Sequence, residues 1–395
     1  MTNKKPKKRP RIKIRNPRKV FGTAISRGPN KSRVAENNNK DKDPTSDKDD
    51  PIQWENKPRF AKFSGTASHA LTKQLDGTLD FEEGTTQWWG MRAMKGYGPV
   101  FEKDYDIPTG LSKEERVKRL GDPVPAKALE PGQLLRQHIY ERLYDVNDII
   151  KTIWLNRESG VPGVLICFDT FKGIYNAPGG FVPMPKFWEH TQGGHSVYAF
   201  GYDYKKKFIK FVNSWGEEWG DNGYGYLGFD YIKKYLIEAW ASGGINWRDK
   251  LRQDRGKETI NGVEYELSVY SPIVYGRQPL WICDAYINKK IVGWTHFRFD
   301  DSGKTILLEE VFVMPDFRMR GIGRQLLKMV ENIAWHYIVP RIVGYIHVQD
   351  LLFPQTIEAV EGLFVTDHYR FIANHQKQFR GCVYQIIRDD ILDSH

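Results

Sequence analysis

The chain has 395 residues, 40% of them hydrophobic and 13% aromatic, enough for two folded domains plus extensions. No run of about 18 apolar residues predicts a membrane-spanning helix, and the basic N-terminus lacks the apolar segment of a secretory signal. The net charge of +10 sits on one tail: residues 1–34 hold thirteen Lys or Arg and no acid, while elsewhere 46 basic residues face 49 acidic ones.

In chain order, residues 1–58 read as a disordered basic arm, too polar to offset the entropy of ordering. Such an arm suits nucleic acid or another polyanion. Residues 59–247 are rich in Trp, Tyr and Gly. Helical patterns appear near 113–120 and 132–153, followed by strand-like runs at 163–168, 196–200 and 208–212. Helices first and strands later predict an α+β domain. Residues 242–257, Gly-bearing and charged, read as a linker. From 258 to 395 strands are expected at 263–270, 280–286, 290–298 and 305–313. A helix from 321 to about 336, a strand at 341–348, a helix near 355–364 and a strand at 381–388 complete a mixed α/β domain. Three cysteines, Cys167, Cys283 and Cys382, are too few for a disulfide framework. They fit a reducing cytosol, so a cytoplasmic location is expected.

Two motifs carry chemistry. The first is Gly193-Gly194-His195-Ser196 with Asn213-Ser214-Trp215-Gly216-Glu217-Glu218-Trp219-Gly220. Neighbouring antiparallel strands place His195 beside Asn213, a base with an orienting partner. HSVYAFGYD followed by FVNSWGEEWGDNGYGYL resembles the papain superfamily of cysteine proteases. The resemblance implies that His195 is the base, Asn213 its partner, and Trp215 and Trp219 their shield. That family starts a long helix with its cysteine. The matching stretch here, Glu83-Gly84-Thr85-Thr86-Gln87-Trp88-Trp89-Gly90-Met91, puts Trp88 at the cysteine's place, or Gln87 after a one-residue slip. Neither is a nucleophile, and Glu82 or Glu83 replaces the family's oxyanion glutamine. Cys167, in the apolar run VLICF, reads as a core residue. Thr85 or Thr86 is a remote substitute nucleophile. A domain that keeps the fold without the reaction, with His195, Asn213 and Trp88 as remnants, is the expectation.

The second motif runs Leu307-Leu308-Glu309-Glu310-Val311-Phe312-Val313-Met314-Pro315, then Arg318-Met319-Arg320-Gly321-Ile322-Gly323-Arg324. A strand, a loop with spaced glycines and a helix N-terminus flanked by three arginines suit a pyrophosphate. The order resembles motif A of the GNAT superfamily of N-acetyltransferases. The resemblance implies a domain binding acetyl-CoA through Phe312, Val313 and residues 318–324, with a backbone N–H near Val313 polarising the thioester carbonyl. Glu309 and Glu310, adjacent on a strand, are expected on opposite faces. Either serves as base, with Glu309 slightly preferred. The tyrosine that family uses as acid aligns with Phe364, leaving His368, Tyr369 or solvent to protonate the thiolate.

The leading functional expectation is an acetyl-CoA-dependent N-acetyltransferase acting on an amine-bearing protein, peptide or small molecule, with the papain-like domain selecting it. The alternatives are a non-enzymatic nucleic-acid-associated binding protein and a peptidase with an unusual nucleophile.

Overall fold

A computed structural model describes residues 63–77, 84–108, 111–133, 135–157, 163–243, 252–274, 276–347, 369–374 and 381–388. The basic arm, Glu82, Glu83, the helix expected near 355–364 with Phe364, and His368 lie outside them. The chain divides into two compact units. One holds Val34–Leu251 with Pro272–Arg277, the other Arg252–Ser271 with Gln278–His395.

The first unit opens with α1 (Gly65–Asp76) and α2 (Gln87–Gly96), followed by α3 (Lys113–Gly121) and α4 (Ala126–Gln133). Ser64 caps α1 through the Ala67 N–H. In α3, Ser112 and Glu115 form a reciprocal capping box. The helix expected over 132–153 is interrupted. Residues Ile139–Leu143 form strand β1, and helix α5 (Val146–Leu155) starts only afterwards. Leu135, Ile139, Tyr140 and Leu143 fit a helical spacing. Yet Ile139, Tyr140 and Glu141 are all buried when β1 pairs with β7 (Leu236–Gly243). Tertiary pairing overrides the local pattern there. Asp145 then restarts a helix by accepting the Asn147 and Asp148 N–H groups at 2.7 and 2.9 Å.

The remaining strands are β2 (Val164–Thr170), β3 (Phe181–Val182), β4 (Gly193–Asp203), β5 (Phe208–Val212) and β6 (Tyr224–Gly228), with helix α6 (Phe229–Tyr235) before β7. They form a seven-stranded sheet in the order β1-β7-β2-β4-β5-β6-β3. Its inner face buries Phe168, Val197, Ile209, Phe211 and Leu227.

The second unit is an eight-stranded sheet in the order β14-β15-β13-β12-β11-β10-β9-β8. Its strands are β8 (Arg252–Ile260), β9 (Val263–Tyr270), β10 (Leu280–Ile287), β11 (Lys290–Phe299), β12 (Thr305–Val313), β13 (Arg341–His347), β14 (Tyr369–Asn374) and β15 (Gly381–Arg388). Helix α7 (Ile322–His336) buries Ile322, Leu326, Leu327, Val330 and Ile333 against Val292, Phe297, Ile306 and Leu308. The last six residues of the expected linker, 252–257, belong to strand β8. As an edge strand it is held by charge pairs, Arg252 with Glu266 and Lys257 with Glu264 and Glu266, so it lacks the apolar alternation that marks a strand in sequence. Strand β14 also went unread.

Candidate functional sites

In the first unit, His195 is the third residue of β4 and Asn213 follows β5 directly. The His195 Nε2 and Asn213 Oδ1 atoms lie 2.9 Å apart. The same Oδ1 accepts the Ser214 N–H at 2.8 Å. An amide oxygen only accepts, so with this amide orientation Nε2 carries the proton. Trp215 covers the imidazole with ring centres 4.6 Å apart. Tyr175 stacks on the outer side of Trp215 at 5.3 Å, and Trp219 meets it edge-on. Trp219 is anchored by its indole N–H to Ile174 O at 2.9 Å. Gly220 makes the turn possible: φ is +66°, and a Cβ would come within 2.5 Å of Tyr224 O.

Strand register puts His195 opposite Phe168, and Ser196 opposite Cys167. The Cys167 thiol therefore lies on the other face of the sheet from the imidazole. Contrary to the core reading, Cys167 is only half-buried. Burial still pushes its thiol up to about 11, with Glu238 and Asp169 acting in the same direction, so it stays protonated at neutral pH. Trp88 packs with Leu165, Met91, Tyr140 and Trp240, on the face that carries Cys167, beneath the Arg92 guanidinium at 3.6 Å. Gln87 is the buried residue at the helix start, and both polar atoms of its side chain lack hydrogen-bond partners. Its backbone N–H goes to Glu238 Oε1 at 2.5 Å, and Glu238 Oε2 takes the Trp240 indole N–H at 2.8 Å. A carboxylate thus occupies the N-terminus of α2. Thr85 donates its hydroxyl to Asp76 at 2.7 Å.

In the second unit, β12 pairs in parallel with β13 only from Thr305↔Arg341 to Leu308↔Gly344. Beyond that the strands part, while β12 stays paired with β11 as far as Val313. Met314 donates its N–H to Val292 O at 2.9 Å. Successive amides in a strand face opposite edges, so the Val313 N–H points into the opening beside β13. The chain then turns through Arg318, whose Nε donates to Val313 O at 3.2 Å, and Met319, exposed at φ +60°. Gly321 holds the N-cap position of α7 at φ +79°, with open space where a Cβ would stand and no side-chain cap. Arg318, Arg320 and Arg324 are exposed around it. Arg320 also donates to Asp316 O at 3.0 Å.

A model of the Acetyltransferase (GNAT) family matches residues 248–351, and a model of the Papain family cysteine protease matches residues 168–245. The chain joins a papain-family domain to a GNAT-family domain. An uncharacterized peptidase C1-like protein of Acanthamoeba polyphaga mimivirus is 29% identical over 167 residues, 40% of this chain. The chain spans 51% of that relative's length. Among solved structures, xylellain, a cysteine protease from Xylella fastidiosa, is 18% identical with a TM-score of 0.41, over 48% of this chain and 72% of that one. PaiA N-acetyltransferase from Thermoplasma acidophilum, in complex with coenzyme A, is 12% identical with a TM-score of 0.22, over 27% and 60%. Diaminobutyrate acetyltransferase from Paenibacillus lautus is 14% identical with a TM-score of 0.22, over 27% and 69%.

The two carboxylates of the GNAT domain are not where simple alternation puts them. His296 pairs with Glu310 and Phe297 with Leu308, so Glu309 is an extra residue in β12. Glu309 forms a two-point ion pair with Arg298. Glu310 Oε2 accepts the Trp294 indole N–H at 3.1 Å and lies 3.8 Å from His296 Nδ1. Trp294, His296 and Arg298 alternate along β11 and so share one face. Both carboxylates therefore point to the same side, away from α7. His296 and Arg298, 1% and 5% exposed, were missed in the sequence. Their i, i+2 spacing on a strand beside the acidic pair was the available signal. Glu238 was missed as well, being 151 positions from its partner Gln87. No described helix is long and apolar enough to cross a membrane.

Proposed function

We propose that the GNAT domain transfers an acetyl group from acetyl-CoA to an amine, and that the papain-family domain recognises the acceptor without cleaving it. The observation that carries this reading is the parting of β12 from β13 directly before a helix N-terminus with no side-chain cap. Acetyl-CoA fits these residues. The Gly321 backbone leaves open space, the α7 amides and Arg318, Arg320 and Arg324 suit its pyrophosphate, and Val313 offers an N–H at the opening. Bound there, it supplies an activated acyl group.

The residues of the chain then have separate tasks. The Val313 N–H orients and polarises a carbonyl oxygen. Phe312 and Val313 line the opening, while Met319 to Gly323 bring backbone amides towards a phosphate. Glu309 is committed to Arg298, so Glu310 with His296 beside it is the better group to take a proton from the acceptor ammonium. In the papain-family domain, the carboxylate at the start of α2 and the neutral Cys167 on the far face leave His195 and Asn213 without a thiolate partner. The basic arm, residues 1–34, is assigned to a polyanion; removing it should flatten the salt dependence of such binding.

Acetyl-CoA should raise the melting temperature, and labelled acetyl-CoA should mark amine acceptors by mass spectrometry. No thermal shift at millimolar acetyl-CoA sinks the reading. Hydrolysis by an unusual nucleophile is the second reading, favoured by the intact His195–Asn213 pair. It requires cleavage of a peptide library that a His195→Ala chain does not show.

A further inference from the structure

We propose that the outer face of β4, β5, β6 and β3 in the papain-family domain is a platform for single-stranded nucleic acid. The inner side of these strands buries Ala199, Ile209, Phe211 and Leu227. The outward residues are mainly rings, with Val212 and one cation, Lys210, beside them. Phe181, 51% exposed, stacks on Tyr226 at 4.6 Å with 23° between planes. Phe208 meets Tyr226 edge-on at 5.0 Å. Phe200, the extra residue between Ala199 and Gly201 in the β4–β5 register, meets Tyr224 at 5.7 Å. Lys210 stands among them, its Nζ 4.7 Å from the Tyr224 ring centre and 5.6 Å from that of Tyr226. Asp221 accepts the Tyr226 hydroxyl at 2.6 Å and fixes that ring.

The turn closing this face, between β4 and β5, carries Lys205, Lys206 and Lys207, all exposed. Asp203, the acid beside them, is engaged by the Lys206 backbone N–H at 2.8 Å. Half-exposed aromatic planes with cations among and beside them match a partner that offers flat rings joined by phosphates. A protein partner fits less well, because lysine is depleted at protein interface centres. A duplex fits less well too, because its bases are already stacked on one another. This inference does not depend on the acetyltransferase reading.

The test uses the full chain and a Phe181→Leu/Tyr226→Leu chain that keeps the apolar bulk. Both are titrated with labelled oligo(dT) and with a duplex of equal length, with melting curves run in parallel. The double variant should lose at least about fivefold in affinity for oligo(dT) and none for duplex, which the charged segments hold through phosphates. Unchanged oligo(dT) binding, or equal weakening on both probes, overturns the proposal. Ultraviolet cross-linking of the unaltered chain to oligo(dU) supplies a readout free of folding effects. Adducts on Phe181, Tyr224 or Tyr226 support the platform. Adducts confined to residues 1–34, or no adduct, overturn it and leave the face to a protein partner.

Discussion

Glu238 accepts the backbone N–H of Gln87 at 2.5 Å, closing the start of α2 with a buried carboxylate. Glu238 is 9% exposed and also holds the Trp240 indole. Glu238→Ala should therefore destabilise the papain-family domain by about 1–3 kcal/mol, read from denaturant midpoints. The same contact opposes a thiolate at this position. A Gln87→Cys chain should alkylate slowly with iodoacetamide, and adding Glu238→Gln should accelerate it. Equal rates in the two backgrounds refute this electrostatic account.

The shared face of Glu309 and Glu310 leads to unequal roles. Glu310→Gln should lower kcat of acetyl transfer by about 10²–10⁴-fold. Glu309→Gln should act mainly through the Arg298 it leaves behind, with a smaller kcat effect and a lower melting temperature. A reversed order, with Glu309→Gln the slower enzyme, assigns the proton to Glu309.

Gly321 sits at φ +79° with open space around its Cβ position. Gly321→Val strains a left-handed backbone and places a branched side chain over the first amides of α7. The acetyl-CoA-induced thermal shift should disappear in this variant, measured against its own ligand-free melting temperature. A retained shift removes the loop from the binding site.

Cys167 gives a pH dependence whose sign is fixed. Its folded pKa, about 11, lies above the unfolded value near 9.0, so the folded chain holds its proton more tightly. The stabilising contribution is full below the unfolded pKa and is lost as pH rises from about 9 to 11. Cys167→Ser should flatten that part of the stability curve relative to the unaltered chain. Identical curves would falsify the assignment.

The C-terminus of α7 offers a stabilising change. The Val339 N–H bonds Ala334 O at 2.8 Å, and the Ile338 N–H bonds Trp335 O at 3.2 Å. This is the pattern in which the residue at Ile338 is normally glycine. Ile338 is β-branched, 71% exposed and held at φ +57°. Replacing it by glycine removes a strain of about 1–2 kcal/mol and gives back part of it as unfolded-chain entropy. Ile338→Gly should raise the melting temperature by a few degrees in calorimetry.

Much of this was legible in sequence because it is local. The strands at 263–270, 305–313 and 381–388 coincide with β9, β12 and β15, and the glycine-bearing loop opens α7 one residue from the expected start. His195 and Asn213 meet because two adjacent strands carry them. What failed was non-local. Strand β1 hid in a helical spacing because its partner lies a hundred residues away in β7. Strand β8 hid because charge pairs rather than apolar alternation hold it. The two-point bond between Arg298 and Glu309 was invisible for a third reason: period-two counting assumes that no residue is inserted.

The single unpaired residue at Glu309 works as a reading-frame change inside a strand. Upstream, even-numbered positions of β12 face the helix; downstream, odd-numbered ones do. Deleting that one residue restores the uninterrupted frame. Ironing the bulge out with every residue kept would instead turn Val311 and Val313 out of the core, bring Glu310 and Phe312 in, and move the Val313 amide to the opposite edge. A comparison of relatives that leaves out the gap here exchanges interior for exterior over the whole approach to the glycine loop. The alignment is right only where the gap falls on the bulge.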